Sequence, residues 1–235
     1  MSGAEDGEAF RQRREAMKQR IDPLDRHMID GGDRYAFFNA VYAMAEGDAA
    51  GVPWADLKPK PQLEKWLAAN PGNGRRAIDI ACGLGDNAEA LAAAGYRTTA
   101  FDLAEKAIAW ARQRFPQSGV DYHVADIFNP PSGWKGGFDL VHECYTLQAV
   151  PPQMLASMMA AIADLVAPGG TLIVYTRIRH DGTGTSGPPW PLQESEAMGF
   201  SGHGFRLVSR NSFELVRPDR RIPHWFCIWQ KTEQA

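Results

Sequence analysis

The run Ile78-Asp79-Ile80-Ala81-Cys82-Gly83-Leu84-Gly85-Asp86-Asn87 decides the fold. An apolar, strand-like stretch breaks at two glycines and leads into the helix-forming AEALAAAG that begins at Ala88. Strand, glycine loop and helix in this order make a ligand cradle. Glycine lets the backbone turn sharply and approach a ligand, and the helix that follows presents unpaired N–H groups. Gly83-x-Gly85-x-x-Ala88 also satisfies the dinucleotide fingerprint, with Asp102 closing the next strand where an acid would meet a ribose.

Outward from this run, AIDIA, RTTAFD, VDYHVAD, FDLVHE and TLIVYT are short and rich in β-branched or aromatic residues. The first four connections are long enough to hold helices. Helical periodicity shows in AEALAAAG, in AEKAIAWARQRF and in PQMLASMMAAIADLVA, the last ended by Pro168-Gly169-Gly170. The repetition predicts an α/β fold with a doubly wound, mostly parallel, Rossmann-like sheet of seven strands. A short helix over Leu192 to Met198 precedes FRLVSRNSFEL and HWFCIWQK, which are expected to pair antiparallel at the sheet edge. Residues 1–70 read as a helical extension and cover, and residues 71–235 as the ligand-binding domain. Within the extension, Met1 to Arg20 is charged and short of apolar anchors, so a solvated or frayed helix is expected. YAFFNAVYAM from Tyr35 to Met44 is apolar on more than one face, and GDAAGVPW follows as a loop before a helix over Gln62 to Ala69.

Composition narrows the function. The 235 residues carry a formal net charge of −3, which lacks the basic footprint of nucleic-acid binding. No apolar run is long enough to span a bilayer and the N-terminus lacks an apolar signal core, so a cytoplasmic protein without a membrane partner is expected. Cys82, Cys144 and Cys227 lie far apart without a CxxC pair, fitting free thiols and no metal site.

Three features separate a dinucleotide enzyme from another nucleotide-type binder. Asp79 sits inside the first strand, where a dinucleotide fold has an apolar residue and a methyltransferase has an acid for the ammonium of a methionine moiety. Val124-Ala125-Asp126-Ile127 closes the third strand with an acid and an apolar side chain suited to adenine. The antiparallel ending leaves little room for a nicotinamide half. With DxxCGxG, the acids at 102 and 126 and the LVAPGGTLIVY run, residues Arg76 to about Thr176 resemble a class I S-adenosylmethionine-dependent methyltransferase. The resemblance implies S-adenosyl-L-methionine as cofactor. Gly83 and Gly85 would back its methionine moiety, Asp102 would take the ribose hydroxyls, Leu103 and Ile127 would sandwich adenine, and Asp126 would meet the adenine amino group. HECYTLQAVPP, GDAAGVPW and GPPWPLQESE resemble the thiopurine methyltransferase-like and tellurite-resistance-like small-molecule branch.

The reaction implied is an in-line displacement that transfers a methyl group to a small-molecule S, O or N nucleophile, with alignment and exclusion of water as the main demands. The acceptor side is expected after the fourth strand, where His142, Glu143 and Tyr145 are the catalytic candidates and Glu143 is also a candidate cofactor contact. Tyr42 and Trp54 are candidate cofactor contacts from the cover. Tyr35, His142, Tyr145, Trp190, His203 and Phe205 are the candidate acceptor contacts. Asn129-Pro130-Pro131-Ser132 is similar to the NPP[YF] loop of amino-group methyltransferases but follows the third strand instead of the fourth, so it reads as a connection. An NAD(P)-dependent dehydrogenase and a cofactor-binding regulatory protein without turnover remain open as alternatives.

Overall fold

The computed structural model describes residues 7–29, 33–217 and 220–233. In chain order its elements are α1 (Gly7–Ile29), α2 (Arg34–Met44), α3 (Pro61–Ala69), β1 (Arg76–Ile80), α4 (Asp86–Ala93), β2 (Arg97–Asp102), α5 (Glu105–Arg114), β3 (Asp121–Val124), β4 (Phe138–Cys144), α6 (Leu155–Leu165), β5 (Val166–Arg179), β6 (Leu192–Gln193), α7 (Glu194–Ala197), β7 (Phe205–Val216) and β8 (Arg221–Lys231). The strands order as β3-β2-β1-β4-β5-β8-β7, with β6 a short eighth strand on β5. β3, β2, β1, β4 and β5 are parallel neighbours, while β8 runs antiparallel to both β5 and β7. This is a Rossmann-like fold, a mostly parallel sheet with an antiparallel C-terminal pair.

Strand alternation sends side chains to both faces, and both faces are covered. Ile78, Val141, Leu172, Val174, Cys227 and Trp229 point to the face closed by α6. Ala77, Leu140, Ile173, Tyr175, Phe226 and Ile228 point to the opposite face, closed by Leu63 and Leu67 of α3 and Leu91 of α4. The inner strands β1, β4 and β5 therefore read as near-continuous apolar runs, whereas the edge strand β7 is largely exposed.

Four local expectations differ from the structure. The connection from β3 to β4 holds no helix: prolines 130 and 131 and glycines 133 and 136 break it into turns, and the Trp134 indole packs 5.2 Å from Phe101 and 6.1 Å from Phe138 where a helix would lie. α6 stops at Leu165, and Ala167-Pro168-Gly169-Gly170 runs inside β5, opposite a register shift between Phe138 and Leu140. The expected helix from Leu192 instead begins at Glu194, because Leu192 and Gln193 pair with β5 before Gln193 and Glu196 form a capping box. Over the charged N-terminus, residues 1–6 lie outside the described residues. From Gly7 onward α1 is continuous and anchored, with Ile21 packed on Phe37 and Val41 of α2.

Trp229 is fully buried in the face under α6, 6.0 Å from the Phe200 ring. Trp229→Ala is expected to lower unfolding free energy by about 3–5 kcal/mol, read by chemical denaturation.

Candidate active site

A parallel sheet opens a crevice where connections leave a strand to opposite sides. Here β1 has β2 on one side and β4 on the other, and a cavity of about 600 Å³ lies at the carboxyl ends of these strands. Ala81 to Leu84, Asp102, Leu103, Asp126 and Ile127 line it together with Cys144 and Tyr145. The chain leaves β1 through Ala81, a non-glycine residue at φ 49°, and Gly83 at φ 54°; it leaves β4 through Tyr145 at φ 69°. Left-handed backbone at non-glycine residues costs energy and recurs where the surrounding structure holds a functional shape.

The two glycines of the loop differ in purpose. A Cβ on Gly83 would stand 3.2 Å from the Tyr42 hydroxyl, so its bare backbone faces the cover across the cavity. A Cβ on Gly85 would stand 2.4 Å from the Tyr122 hydroxyl. Gly85 is thus needed for packing and, at φ 90°, for the N-cap of α4, and it does not line the cavity. Asp102 holds the loop, accepting from the Gly83 N–H at 3.0 Å and the Ala104 N–H at 2.9 Å. It is 6% exposed, so this strand-end acid is buried beneath the loop. Burial pushes its carboxyl up to about 6 against the two backbone hydrogen bonds.

Behind the loop lies a second, buried layer. β1–β4 register places Asp79 opposite His142 and Ile80 opposite Glu143. Asp79 Oδ1 and His142 Nδ1 are 2.6 Å apart. Glu143 Oε1 accepts from the N–H groups of Thr146 at 2.6 Å and Leu147 at 3.0 Å, holding the turn after β4. Burial, with Asp79 nearby, pushes Glu143 up to about 8 against those bonds. Asp79 Oδ2, His142 Nε2 and Glu143 Oε2 are buried without a hydrogen-bond partner among the described residues. His142 is fully buried and outside the cavity lining, away from the acceptor position expected for it, because strand alternation points it to the α3–α4 side with Leu140.

Tyr145 does line the cavity, and its hydroxyl lies 2.9 Å from Nε2 of buried His224 on β8. His224 Nδ1 is 2.7 Å from the Ile222 carbonyl oxygen and therefore carries the proton, which leaves Nε2 to accept from the tyrosine. Burial, reinforced by Arg177 and Lys60, lowers His224 to about 4 despite the Ile222 bond. His224 carries no signal in HWFCIWQK, since only pairing of β5 with β8 brings it beneath Tyr145. Burial also raises the Cys82 and Cys144 thiols, which keeps both neutral in the cavity wall.

The cover supplies Phe37, Phe38, Tyr42 and Trp54, with Trp54 Nε1 donating to the Tyr42 hydroxyl at 2.9 Å. Tyr35, 46% exposed, stays outside the cavity because it starts α2 on its outer side. Trp190 also stays outside: its N–H donates to the Gln148 carbonyl at 2.7 Å, its ring packs under Gly187, and Pro188 and Pro189 reach the cavity in its place. His203 and Phe205 pack on Phe200 at ring distances of 6.3 and 5.9 Å, in the core layer under α6, remote from the acceptor role expected for them. Asp126 accepts from the Phe128 N–H at 3.1 Å and has Arg34 within 3.8 Å. Lys60 and Arg177 line the cavity without having been singled out by the sequence. Among the described residues no group of three or more His, Cys, Asp or Glu side chains is placed to hold a metal, and no helix is long and apolar enough to cross a membrane.

Residues 77–170 match the family model described as a methyltransferase domain. The ubiquinone biosynthesis O-methyltransferase of Aromatoleum aromaticum is 42% identical over 114 residues, 47% of this chain and 48% of that protein. The enzyme of the same name from Thiobacillus denitrificans is 34% identical over 135 residues, 54% of this chain and 57% of that protein. The chain thus spans about half the length of the curated relatives it matches. Among solved structures, one from work on conversion of a disulfide bond into a thioacetal group during echinomycin biosynthesis superposes with a TM-score of 0.69 at 21% identity, covering 86% of this chain and 94% of that one. The Burkholderia thailandensis 1,6-didemethyltoxoflavin N1-methyltransferase, with 1,6-didemethyltoxoflavin and S-adenosylhomocysteine bound, superposes at 0.65 with 20% identity, covering 85% and 87%.

The raised Glu143 has a measurable consequence. A buried acid whose folded value, about 8, exceeds its ordinary 4.5 binds more protons folded than unfolded, so it loses stability as pH rises through that window. Glu143→Gln keeps an oxygen for the Thr146 and Leu147 N–H groups and removes the titration. Thermal unfolding of both proteins is expected to shift in favour of the variant by roughly 2 kcal/mol between about pH 6 and about pH 8.

Proposed function

We propose that this chain, through its methyltransferase domain, binds S-adenosyl-L-methionine in the cavity and transfers the methyl group to a small-molecule nucleophile. The observation that carries this reading is the convergence of the Gly83 cradle, Asp102 and the Asp126–Ile127 pair on one cavity at the point where the strand order reverses. The residues fit the cofactor chemically. Asp102 and Asp126 offer carboxylate oxygens to ribose hydroxyls and an adenine amino group, with Leu103 and Ile127 as apolar walls. Asp79, with one oxygen unpartnered beneath the loop, supplies negative charge for an ammonium, and the unpartnered Oε2 of Glu143 adds to it. The aromatic cover of Phe37, Phe38, Tyr42 and Trp54 suits a sulfonium cation and the exclusion of water, which supports reading the segment before the sheet as a cover over the site. The name of the curated relatives, an O-methyltransferase, supports the same reaction class.

When bound, the cofactor supplies a methyl group already activated for displacement, so the protein's task is alignment. Tyr145 meets the acceptor. Its own proton points to His224 Nε2, and beside the Arg177 interaction an oxygen lone pair is left to accept from the protonated heteroatom of the nucleophile. His142 acts from behind by holding Asp79. The finer kinship, to the thiopurine- and tellurite-type branch, is supported by the meeting of its three motifs at one cavity: Pro53 and Trp54 from GDAAGVPW, Cys144 and Tyr145 from HECYTLQAVPP, and Pro188 and Pro189 from GPPWPLQESE.

S-adenosylhomocysteine is expected to raise the melting temperature where NAD and NADP do not, because only a ligand of the native state stabilises it. A shift with the nucleotides alone would sink the reading. Asp102→Asn keeps one acceptor oxygen for the loop and should weaken S-adenosylhomocysteine binding about ten-fold or more, by calorimetry. Tyr145→Phe, in turnover assays with acceptors found by screening for S-adenosylhomocysteine release, is expected to lower kcat by roughly ten-fold or more with cofactor affinity unchanged.

A further inference from the structure

The cavity is electrically divided. Asp102 and Asp126, the latter with Arg34 beside it, line the end assigned to the cofactor with Asp79 and Glu143 buried behind them, whereas the wall beyond Tyr145 carries Lys60, Arg177 and Arg217 with Asp56. That concentration of positive charge stands in a chain whose formal net charge is −3. Lys60 is 5% exposed, with Nζ 4.4 Å from the centre of the Tyr145 ring and 5.2 Å from that of Tyr175. Its carboxylate partner is Asp56, which also stands in the field of Arg14 and Arg217. One acid thus answers more than one cation. Arg177 lies with its guanidinium carbon 5.7 Å from the Tyr145 ring centre, and its Nε is buried without a hydrogen-bond partner among the described residues. Burial, with Arg220 and Arg217 nearby, holds the Arg177 guanidinium below its usual value despite its interaction with the Tyr145 hydroxyl. A desolvated guanidinium with an unmade hydrogen bond and like charges around it is costly unless an anion completes it.

Resting on the reading of the other end as a cofactor site, we infer that Arg177 and Lys60 form an acceptor subsite for a small molecule bearing a carboxylate or a comparable oxyanion. Arg177 supplies the fork that such a group fits, Lys60 adds a point charge, and Leu215, Ile222, Pro188 and Pro189 give the apolar wall for the rest of the molecule. Tyr145, between the cations and the glycine loop, then meets the nucleophilic atom while the anion is held behind it. A carboxylate is also present on the methionine moiety of the cofactor, so the test must separate the two sources.

Full-length protein saturated with S-adenosylhomocysteine is titrated calorimetrically with aromatic and aliphatic carboxylic acids, each beside its methyl ester or amide, with benzoate and benzamide, and 4-hydroxybenzoate and its ester, as the first pairs. Acids are expected to bind about ten-fold or more tightly than their neutral partners, with a preference that weakens as salt is added. Arg177→Met should abolish the preference and Arg177→Lys restore part of it, with S-adenosylhomocysteine affinity unchanged in both. If no acid across the panel outbinds its neutral partner, the proposal fails. It fails equally if Arg177→Met weakens S-adenosylhomocysteine but not 5′-methylthioadenosine, which lacks the amino-acid part, because the guanidinium then serves the cofactor's own carboxylate. Absence of any S-adenosylhomocysteine binding would instead overturn the cofactor reading, and the same acid and amide pairs titrated into the ligand-free protein would still decide whether the anion subsite exists.

Discussion

The hydrogen bond between Asp79 and His142, 2.6 Å long and shut away from solvent, ties together the two strands between which the sheet changes direction. Removing one partner of such a pair leaves an uncompensated polar group in the interior and costs on the order of 3–5 kcal/mol. The pair also fixes where β1 ends relative to β4. With Asp79 held opposite His142, the loop from Ala81 to Gly85 and the turn from Tyr145 onward leave the sheet at the same height, and the cavity is the space between them.

A second shell of hydrogen bonds shapes that space from below. Asp102 gathers the N–H groups of Gly83 and Ala104, and Glu143 gathers those of Thr146 and Leu147. Asp102 uses both oxygens and Glu143 one oxygen on loop backbone, so each loop emerges from its strand with one conformation. The arrangement concentrates acidic groups in a buried place, which raises Asp102 to about 6 and Glu143 to about 8 through desolvation. Buried acids raised in this way are unfavourable in their charged form in the isolated protein and favour a positively charged ligand. The opposite wall has the reverse sign, and burial, reinforced by its arginine and lysine, lowers His224 to about 4. A transfer from a cationic donor to an anionic acceptor is served by a cavity polarised in this way.

Much of this was legible in the linear sequence. Alternating strand and helix patterns around Asp79 and Gly83 determined an α/β sheet, because apolar runs of strand length between helical periodicities have few other stable arrangements. The acids at 79, 102 and 126 were recognisable from their offsets to the glycines, since strand ends and loop lengths are local properties. Local signals failed where tertiary packing replaced them. Trp134 filled the place of a helix in a proline- and glycine-rich connection, and Leu192 and Gln193 were drawn into a strand by the exposed edge of β5.

The side on which each side chain emerges belonged to the tertiary structure alone. His142 and Tyr145 are three residues apart, yet one is sealed behind the sheet and the other lines the cavity, because β4 ends between them and Tyr145 turns through a positive φ. His224, Arg177 and Lys60 meet around Tyr145 only because β8 returns antiparallel to β5 and α3 packs on the same face. Their separations in the chain carry no trace of this meeting, since nothing in the spacing of residues specifies which distant strand becomes a neighbour. The sequence by itself determined a glycine cradle and acids for a nucleoside-type ligand. The basic wall facing it was decided by the folded chain, through long-range strand pairing and burial of charge.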